Sequence, residues 1–538
     1  MSPLTRSLVL KEVHERRLQF ALATLWIVLG AMHSVVYELG HRFHAAVANY
    51  SGVLAGFEVA AILVAMRTSL GEMTDRTRSF ADGLPVSPLV RGRVRVTGGW
   101  VVLVAPMLIG GLVIAACLAG GWVQQAPLRA TDLEAPYVRM PERGVLAPLP
   151  AITLLGEVLV IRIASVSMLY LLATTLGTFV RSEARAGYAG AVLMVGWFLM
   201  TALRPEFGRH LPQRLAEIVM AVLPVTRIIH YGYGEVGGAS YTDLDLGTGI
   251  LWTLAANAGL QFLLAVWAVR RYAAIRPLTR DGEASRSDRA RSVWLPRLGP
   301  LPLPTLSLAW LAGRHALPMA IPGLLFAAGM ASIAFVQPHM MFRDNLSQTS
   351  WAIGALWSVV VGAALFASDI DPRIGEFWRT RPIAPWKLFA VKFLTGLLVT
   401  LLVLDGPSIA LAWNSPNWGN YYSMNWPHIA VMVPFHGMMF SLAAALTCLI
   451  RQPLAAGFLT FVAFTIQSTL SSFLPALDPI EVYNNSHFLD RNPSEFSWVS
   501  LSPSYPALMW FVGSIYVLSL LTGYWALTRY RPLSMLKK

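Results

Sequence analysis

Two acidic residues lie inside long apolar segments, where a carboxyl group can do chemistry that water would suppress. Glu58 falls within the segment Tyr50–Leu70, and Asp405 falls within Phe393–Trp413. A charge at the middle of a bilayer costs about 2.5–3.5 kcal/mol on insertion scales, so such a group usually faces a cavity or a partner. The two carboxyls can therefore bind protons or line a substrate path. The alternative is that they are neutral or paired groups between helices, with Asp405-Gly406-Pro407 marking a broken helix.

Other patterns that carry chemistry are missing from the sequence. A phosphate-binding GxxxxGK[ST] loop requires a lysine after a glycine, and none of the five lysines follows one. The two cysteines form no CxxC motif and the histidines form no HExxH motif, so we expect them to pack as ordinary side chains. We therefore predict no catalytic residues, no metal site, no cofactor, and no ATP hydrolysis by this chain through a P-loop.

The segments around these residues are those of a membrane protein. The chain of 538 residues is 55% hydrophobic and 13% charged, whereas soluble globular proteins carry about 25% charged residues. Twelve apolar windows approach the ~20 residues that a bilayer-spanning helix needs, and together they contain five charged residues. This partition excludes a soluble enzyme and predicts an all-α polytopic membrane protein with about twelve transmembrane helices. The windows are Leu18–Leu39, Tyr50–Leu70, Gly99–Val123, Ile161–Val180, Gly187–Ala202, Thr248–Val269, His315–Val336, Ser350–Ala367, Phe393–Trp413, His428–Ile450, Leu454–Leu474 and Pro506–Leu527.

The net charge of +13 is distributed by side of the membrane. If the N-terminus is inside and Arg162 is interfacial, the inner segments carry 31 of the 42 lysines and arginines, as expected when short basic loops stay in the cytoplasm. Both termini are then cytoplasmic, basic residues face anionic lipid, and no nucleic-acid partner is expected. The 37 arginines against 5 lysines indicate a GC-rich genome, and hence a multi-pass protein of a bacterial inner membrane.

The inner loop after the second window has a counterpart in the second half of the chain. The segment Gly71–Gly99 aligns without a gap on Ser368–Gly396, which lies 297 residues later. The aligned pairs are Glu72 with Asp369, Arg76 with Arg373, Phe80 with Phe377, Pro85 with Pro382, Pro88 with Pro385, Arg95 with Lys392, and Gly99 with Gly396.

Two further matches follow in the same order. LGTFVRSEARAG leaves the fourth window as LTCLIRQPLAAG leaves the tenth, and a Trp-Ala dipeptide with a nearby Arg-Tyr closes both the sixth window and the twelfth. Repetition of this kind indicates a duplicated architecture. We predict two six-span halves in parallel topology, residues 1–272 and 314–538, joined by a cytoplasmic linker at 273–313.

Each of the two aligned loops contains a Pro-x-x-Pro pair, here called its proline corner. The corners are Pro85 with Pro88 and Pro382 with Pro385. Proline fixes φ and removes a backbone donor, so each corner makes a stiff joint that can project from the membrane and transmit force. Its presence in both halves favours a symmetric partner below the membrane; the alternative is an elbow that lies on the membrane surface without a partner.

These loops resemble the first cytoplasmic loop of type-two ATP-binding-cassette (ABC) exporter permeases. The resemblance is carried by LPVSP, followed by a basic helix, and by IGEFWRTRPIAPWKLFAVKFL. It implies six spans per half, a cytoplasmic amphipathic N-terminal helix, and a coupling helix in each half that docks on a separate ABC-type ATPase, two copies per chain. Arg78-Ser79-Phe80 stands where the second half has Gly375-Glu376-Phe377, so the two docking sites need not be equivalent. The implied coupling residues are Glu72, Arg76, Asp82, Leu84, Pro85, Pro88, Asp369, Arg373, Glu376, Phe377, Arg381, Pro382, Pro385 and Trp386.

The segment Thr5–Arg17 fits the expected N-terminal helix. Its apolar residues Leu8, Val9 and Val13 stand against charged residues in the same turns. This pattern is typical of a helix that lies in the membrane interface with its charges in water. Leu306–Arg314 occupies the same place before the seventh window.

Two other functions are compatible with the sequence. A proton-coupled secondary transporter would also have two six-span halves and would use Glu58 and Asp405. Gly71-x-x-x-Asp75-Arg76 faintly resembles the loop motif of major-facilitator carriers, although Arg78 stands where that motif has glycine. A membrane assembly or receptor protein is the third class, favoured only by the lack of a catalytic constellation. We expect the first function, an ABC permease subunit that is itself no enzyme.

Overall fold

The computed structural model describes residues 3–41, 46–74, 86–122, 151–179, 189, 193, 234–236, 239–241, 249–274, 304–336, 342–367, 369, 384–414, 426–471, 474–477, 479, 482 and 504–528. The chain divides into two units, Met1–Arg276 and Pro277–Lys538. The division falls inside the predicted linker 273–313. The last part of that linker, from Pro304 onward, is already helical.

Unit 1 is helical over most of its described residues. Its helices are α1 (Pro3–His41), α2 (Ala46–Thr74), α3 (Pro88–Ala119), α4 (Ala151–Gly177) and α5 (Gly249–Ala274). One antiparallel hairpin, β1 (Gly234–Val236) with β2 (Ala239–Tyr241), departs from the predicted all-α class. The dipeptide Gly237-Gly238 between its strands is typical of a tight hairpin turn.

Unit 2 is helical throughout its described residues. Its elements are α6 (Pro304–Val336), α7 (Phe342–Leu365), α8 (Pro385–Leu404), α9 (Gly406–Asn414), α10 (Trp426–Ile450), α11 (Pro453–Ser471), a 3₁₀ turn (Pro475–Leu477) and α12 (Tyr505–Thr528).

Seven of the described helices are long and apolar enough to cross a membrane. Leu112, Phe262 and Trp510 point outward, on surfaces where a soluble protein would place polar side chains. The described structure is therefore that of a helical membrane protein, as the sequence predicts. The number of twelve spans stays a prediction, because the window Gly187–Ala202 lies almost wholly outside the described residues. The seven segments are Arg6–Val35, Tyr50–Ser69, Pro88–Ala119, Leu155–Gly177, Pro385–Leu404, Ile429–Ile450 and Tyr505–Thr528.

Each unit is built from a few extensive helix pairs. In unit 1, α1 packs along α3 and α2 along α4, while α5 contacts both α3 and α4. In unit 2, α6 packs along α8 and α7 along α10, while α12 packs along α10. These pairs bury the apolar cores of the units, which include Phe57 and Ile27 in unit 1 and Phe435 and Phe440 in unit 2.

Glycines make the closest helix contacts possible. A Cβ at Gly99 of α3 would overlap the Tyr170 hydroxyl of α4 and the Thr68 side chain of α2. The Tyr170 hydroxyl uses this room to donate to the Val96 carbonyl oxygen at 2.8 Å. Small residues allow such approach in membrane helix bundles, where packing and hydrogen bonds drive association.

A proline inside α10 creates a carbonyl that α12 satisfies. Pro434 has no N–H, so the Ala430 carbonyl oxygen loses its helical donor. The Tyr505 hydroxyl of α12 donates to that oxygen at 3.2 Å, and the Tyr516 hydroxyl donates to the Pro434 carbonyl oxygen at 3.5 Å. The bend in α10 is therefore held from α12.

The predicted helix break at Asp405-Gly406-Pro407 is confirmed. α8 ends at Leu404, and Asp405 caps it with its N–H on the Leu401 carbonyl oxygen. α9 begins at Gly406. Because Pro407 lacks an N–H, the regular helical ladder cannot continue past this point.

The expectation for Thr5–Arg17 is wrong in two respects. The segment is the first part of α1, which continues without a break to His41. Its charged side chains Glu12 and Arg16 are buried, whereas Val13 is 61% exposed. The polar side of this helix faces α3 because Arg16 and Glu12 form an ion pair there, and the apolar side is left for lipid.

The close approach at Gly99 yields a stability prediction. We expect Gly99→Ala to lower the thermal unfolding temperature of the purified protein, because the new methyl group must displace Tyr170 or Thr68. Gly156→Ala in α4 is the matched control, since a Cβ there meets nothing within 4 Å and alanine favours helix by up to about 1 kcal/mol. Equal unfolding temperatures for the two variants would contradict the packing described.

Candidate functional site

Most of the predicted coupling residues fall outside the described residues. These are Arg76, Asp82, Leu84, Pro85, Arg373, Glu376, Phe377, Arg381 and Pro382. Glu72 lies in the last turn and a half of α2, of which only the backbone is described. Pro88, Asp369, Pro385 and Trp386 are described in full, so the structure places the bases of the two loops.

Both helices that follow the proline corners begin at the second proline. Pro88 opens α3, and the Val90 N–H donates to the Ser87 hydroxyl at 3.3 Å. Pro385 opens α8 without a side-chain cap at Ala384. Proline suits this first helical position because its missing N–H would have no helical partner there. The corner residues thus fix where each helix starts.

Trp386 presents an aromatic surface at the start of α8. Its side chain is 55% exposed, and the Lys387 ammonium lies 5.6 Å from the centroid of its ring. An exposed tryptophan beside a cation can anchor a protein partner or the lipid interface.

In unit 1 a buried guanidinium fastens α3 to the end of α2. Arg95 Nε donates to the Thr68 carbonyl oxygen at 2.8 Å, and its Nη2 donates to the Arg67 carbonyl oxygen at 3.3 Å. Its Nη1 lies 3.7 Å from Glu12 Oε2 of α1. Arg16 completes the cluster by pairing with Glu12 and donating to Thr68 Oγ1 at 3.1 Å. Three helices are therefore joined at the base of the first loop.

In unit 2 a buried ammonium does the same with different partners. Lys392 Nζ of α8 donates to Asp369 Oδ2, just beyond the end of α7. Both side chains are buried, and the ammonium also lies 5.5 Å from the centroid of the Phe366 ring. Asp369 is a predicted coupling residue, and the structure gives it a partner inside the unit.

The predicted path residue Glu58 is a buried, paired carboxylate. Arg162 Nη1 of α4 lies 3.3 Å from Glu58 Oε1, and the Ser165 hydroxyl donates to the same oxygen at 2.9 Å. Ser51, one turn and a half earlier on α2, accepts from Arg162 Nε and Nη2 at 3.3 and 3.2 Å. Among the described residues this arrangement neutralises the carboxylate inside unit 1.

The other predicted path residue, Asp405, pairs with a histidine. His436 Nδ1 of α10 lies 2.7 Å from Asp405 Oδ1, and His436 Nε2 lies 2.9 Å from the Trp351 carbonyl oxygen of α7. Asp405 Oδ2 is buried and has no hydrogen-bond partner among the described residues. Glu58 and Asp405 lie in different units and each has its own partners, so nothing described joins them in one site.

Sequence reasoning missed the partners of both carboxyls. Arg162 was expected at the interface and His436 as an ordinary packed histidine. A signal existed for each, since Arg162 and Glu58 are opposite charges in windows that precede and follow one loop pair. The pairing itself depends on helix rotation, which the sequence does not specify.

The Glu58–Arg162 pair predicts strong non-additivity. Glu58→Gln should destabilise unit 1 by about 3–5 kcal/mol because it leaves a buried guanidinium without its counter-ion. Arg162→Gln should do the same, while the double variant should lose much less than the sum. The measurement is a double-mutant cycle by denaturant unfolding in detergent; additive losses would show that the two groups do not interact.

A second cycle-free prediction concerns Lys392. Lys392→Met should lower stability by about 3–5 kcal/mol because Asp369 would remain buried and charged without a partner. Lys387→Met, five residues earlier on α8 and exposed, should change stability by no more than about 0.5 kcal/mol. The comparison uses the same substitution on one helix, and similar losses at both positions would contradict the buried pair.

Comparison with known proteins adds no relative to these geometric observations. No protein-family model and no curated protein matches the chain.

Proposed function

We propose that this protein is the membrane-spanning permease subunit of an ABC exporter, driven by a separate ATPase that docks on its two inner loops. One observation carries the proposal: in each unit a buried cation, Arg95 or Lys392, fastens the helix after a proline corner to the end of the helix before it. A loop fastened at both ends passes a displacement to two helices together. That property suits a loop that receives force from below the membrane.

The proposal includes the duplication of the two halves. Gly99 packs against Thr68, and Gly396 packs against Leu365. The two glycines are 297 residues apart, and so are Thr68 and Leu365. Equivalent positions in the alignment thus make equivalent contacts.

The second match of the alignment supports the same conclusion. Gly99 also packs against Tyr170, and Gly396 also packs against Phe440. Tyr170 and Phe440 are 270 residues apart, the same spacing as that between the aligned LGTFVRSEARAG and LTCLIRQPLAAG segments. The pairing of helices, α1 with α3 and α2 with α4 in unit 1, and α6 with α8 and α7 with α10 in unit 2, follows the same order.

In this mechanism ATP is bound and hydrolysed by the partner, two copies per chain. Closure of the ATPase pair draws the two proline corners together. In unit 1 the movement reaches α2 and α3 jointly through Arg95, and in unit 2 it reaches α7 and α8 jointly through Lys392. The two halves then change between inward and outward access in a bacterial inner membrane, with both termini in the cytoplasm.

The two loops are expected to respond unequally. Arg95 is held by two carbonyl oxygens and by Glu12, whereas Lys392 is held by a single carboxylate, Asp369. A guanidinium has five donors in a fixed fork, and an ammonium is a point charge. The first loop is therefore fixed in orientation as well as in distance.

A proton-coupled secondary transporter is the second candidate, and one observation favours it. Asp405 and His436 form a buried pair at a helix break in unit 2, an arrangement that can bind a proton. Glu58 does not add to this candidate, because Arg162 and Ser165 already hold it as a paired carboxylate. The carrier would thus depend on one of the two carboxyls.

Docking on the second loop predicts an effect of Trp386. Trp386→Ala should reduce co-purification of an ABC-type ATPase from native membranes and lower the vanadate-sensitive ATP hydrolysis of the complex by tenfold or more, because a central interface tryptophan commonly contributes at least 2 kcal/mol. Trp510→Ala is the matched control, since Trp510 is 80% exposed on α12 and lies outside the loops.

The same experiment separates the two candidate functions. If no ATPase accompanies the wild-type protein and transport continues without one, the permease proposal is wrong. If an ATPase is present and both tryptophan variants retain it equally, the permease proposal survives but docking at Trp386 does not.

A further inference from the structure

The break between α8 and α9 places Asp405 inside unit 2 beside His436. Both side chains are 1% exposed. Gly354 of α7 provides the room for the imidazole, because a Cβ there would overlap the His436 ring. Trp351 and Phe435 stack with ring centroids 4.5 Å apart next to the pair, and the apolar cluster around them excludes water.

The hydrogen bonds of His436 determine where one proton is. A carbonyl oxygen can only accept, so the contact of Nε2 with the Trp351 carbonyl oxygen at 2.9 Å requires a proton on Nε2. The contact of Nδ1 with Asp405 Oδ1 at 2.7 Å requires one further proton between those two atoms. Without it, a nitrogen lone pair would face a carboxylate oxygen in a site without water.

The second carboxyl oxygen distinguishes two locations for that further proton. If it were on His436, Asp405 would be an anion and its buried Oδ2, which has no donor among the described residues, would carry part of the charge. An unsatisfied buried charge costs far more than an unsatisfied neutral oxygen. The lower-cost arrangement has the proton on Asp405 Oδ1, donated to Nδ1 of a neutral imidazole.

The carboxyl at Glu58 has the opposite surroundings. Its oxygen receives donors from Arg162 and Ser165, and the guanidinium supplies a positive charge. At Asp405 no cation is present among the described residues that contact it. The titratable group that approaches from α12 is Tyr516, whose ring lies against Gly437 and whose hydroxyl donates to the Pro434 carbonyl oxygen, so it supplies neither a donor nor a charge to Oδ2.

We propose that Asp405 and His436 bind one proton between them as an uncharged pair, which makes the α8–α9 break of unit 2 a buried proton-binding site. The bound species is a proton on the line between Asp405 Oδ1 and His436 Nδ1. This inference concerns the occupancy of the site in the folded protein and does not depend on whether the chain is a permease or a carrier.

Infrared difference spectroscopy of the purified protein in nanodiscs tests the location of the proton. The wild-type protein should show the C=O stretching band of a protonated carboxylic acid, and labelling the aspartate side-chain carboxyl with ¹³C should shift that band. The band should vanish in Asp405→Asn and persist in Glu58→Gln. Absence of the band from the wild type, or a band that the aspartate label does not shift, would overturn the proposal.

Nitrogen NMR of ¹⁵N-histidine-labelled wild-type protein provides a readout that requires no change at Asp405. His436, assigned by its loss in His436→Gln, should have the two unequal ¹⁵N shifts of a neutral imidazole protonated on Nε2. Two similar imidazolium shifts would place the proton on the histidine and would replace the uncharged pair with an ion pair. If Asp405→Asn fails to fold, the labelled wild-type spectra still decide the outcome.

Discussion

Each charge that the helices remove from water needs a partner inside the same unit, and this requirement determines how the described helices meet. A buried ion without a partner costs several kcal/mol, and removal of one member of a buried pair is correspondingly damaging. The partners come from different helices: Arg95 of α3 reaches Glu12 of α1, and Arg162 of α4 reaches Glu58 of α2. Apolar packing alone would allow these helices to rotate about their axes, and the polar pairs specify one rotation.

The buried acids are neutralised in different ways. Glu58 faces a guanidinium supported by serine hydroxyls, and Asp369 faces a single ammonium. Asp405 faces a histidine and lacks a second donor among the described residues. The first arrangement fixes geometry most completely, because a planar fork with several acceptors has little freedom. Asp405 has fewer constraints, and its state can change with a single proton.

The sequence predicts helices, helix starts and helix breaks well because local chemistry determines them. Pro88 and Pro385 open helices where the motif places them, and Pro407 ends the ladder after Asp405. The sequence does not predict which polar groups meet. His436 and Arg162 acquire their roles only when α10 and α4 are rotated toward α8 and α2. Glu12 and Arg16 show the same limit, since an amphipathic pattern does not reveal whether its polar side faces water or another helix.

The tyrosine contacts at the bend of α10 have a mechanical consequence. Straightening or sharpening α10 at Pro434 would move the Ala430 carbonyl oxygen away from the Tyr505 hydroxyl, which is its donor from the first turn of α12. In a water-free interior that oxygen has no substitute donor nearby, so a change of bend angle is opposed unless α12 travels with it. The two helices should therefore act as one hinge, with its stiffness set by a phenol.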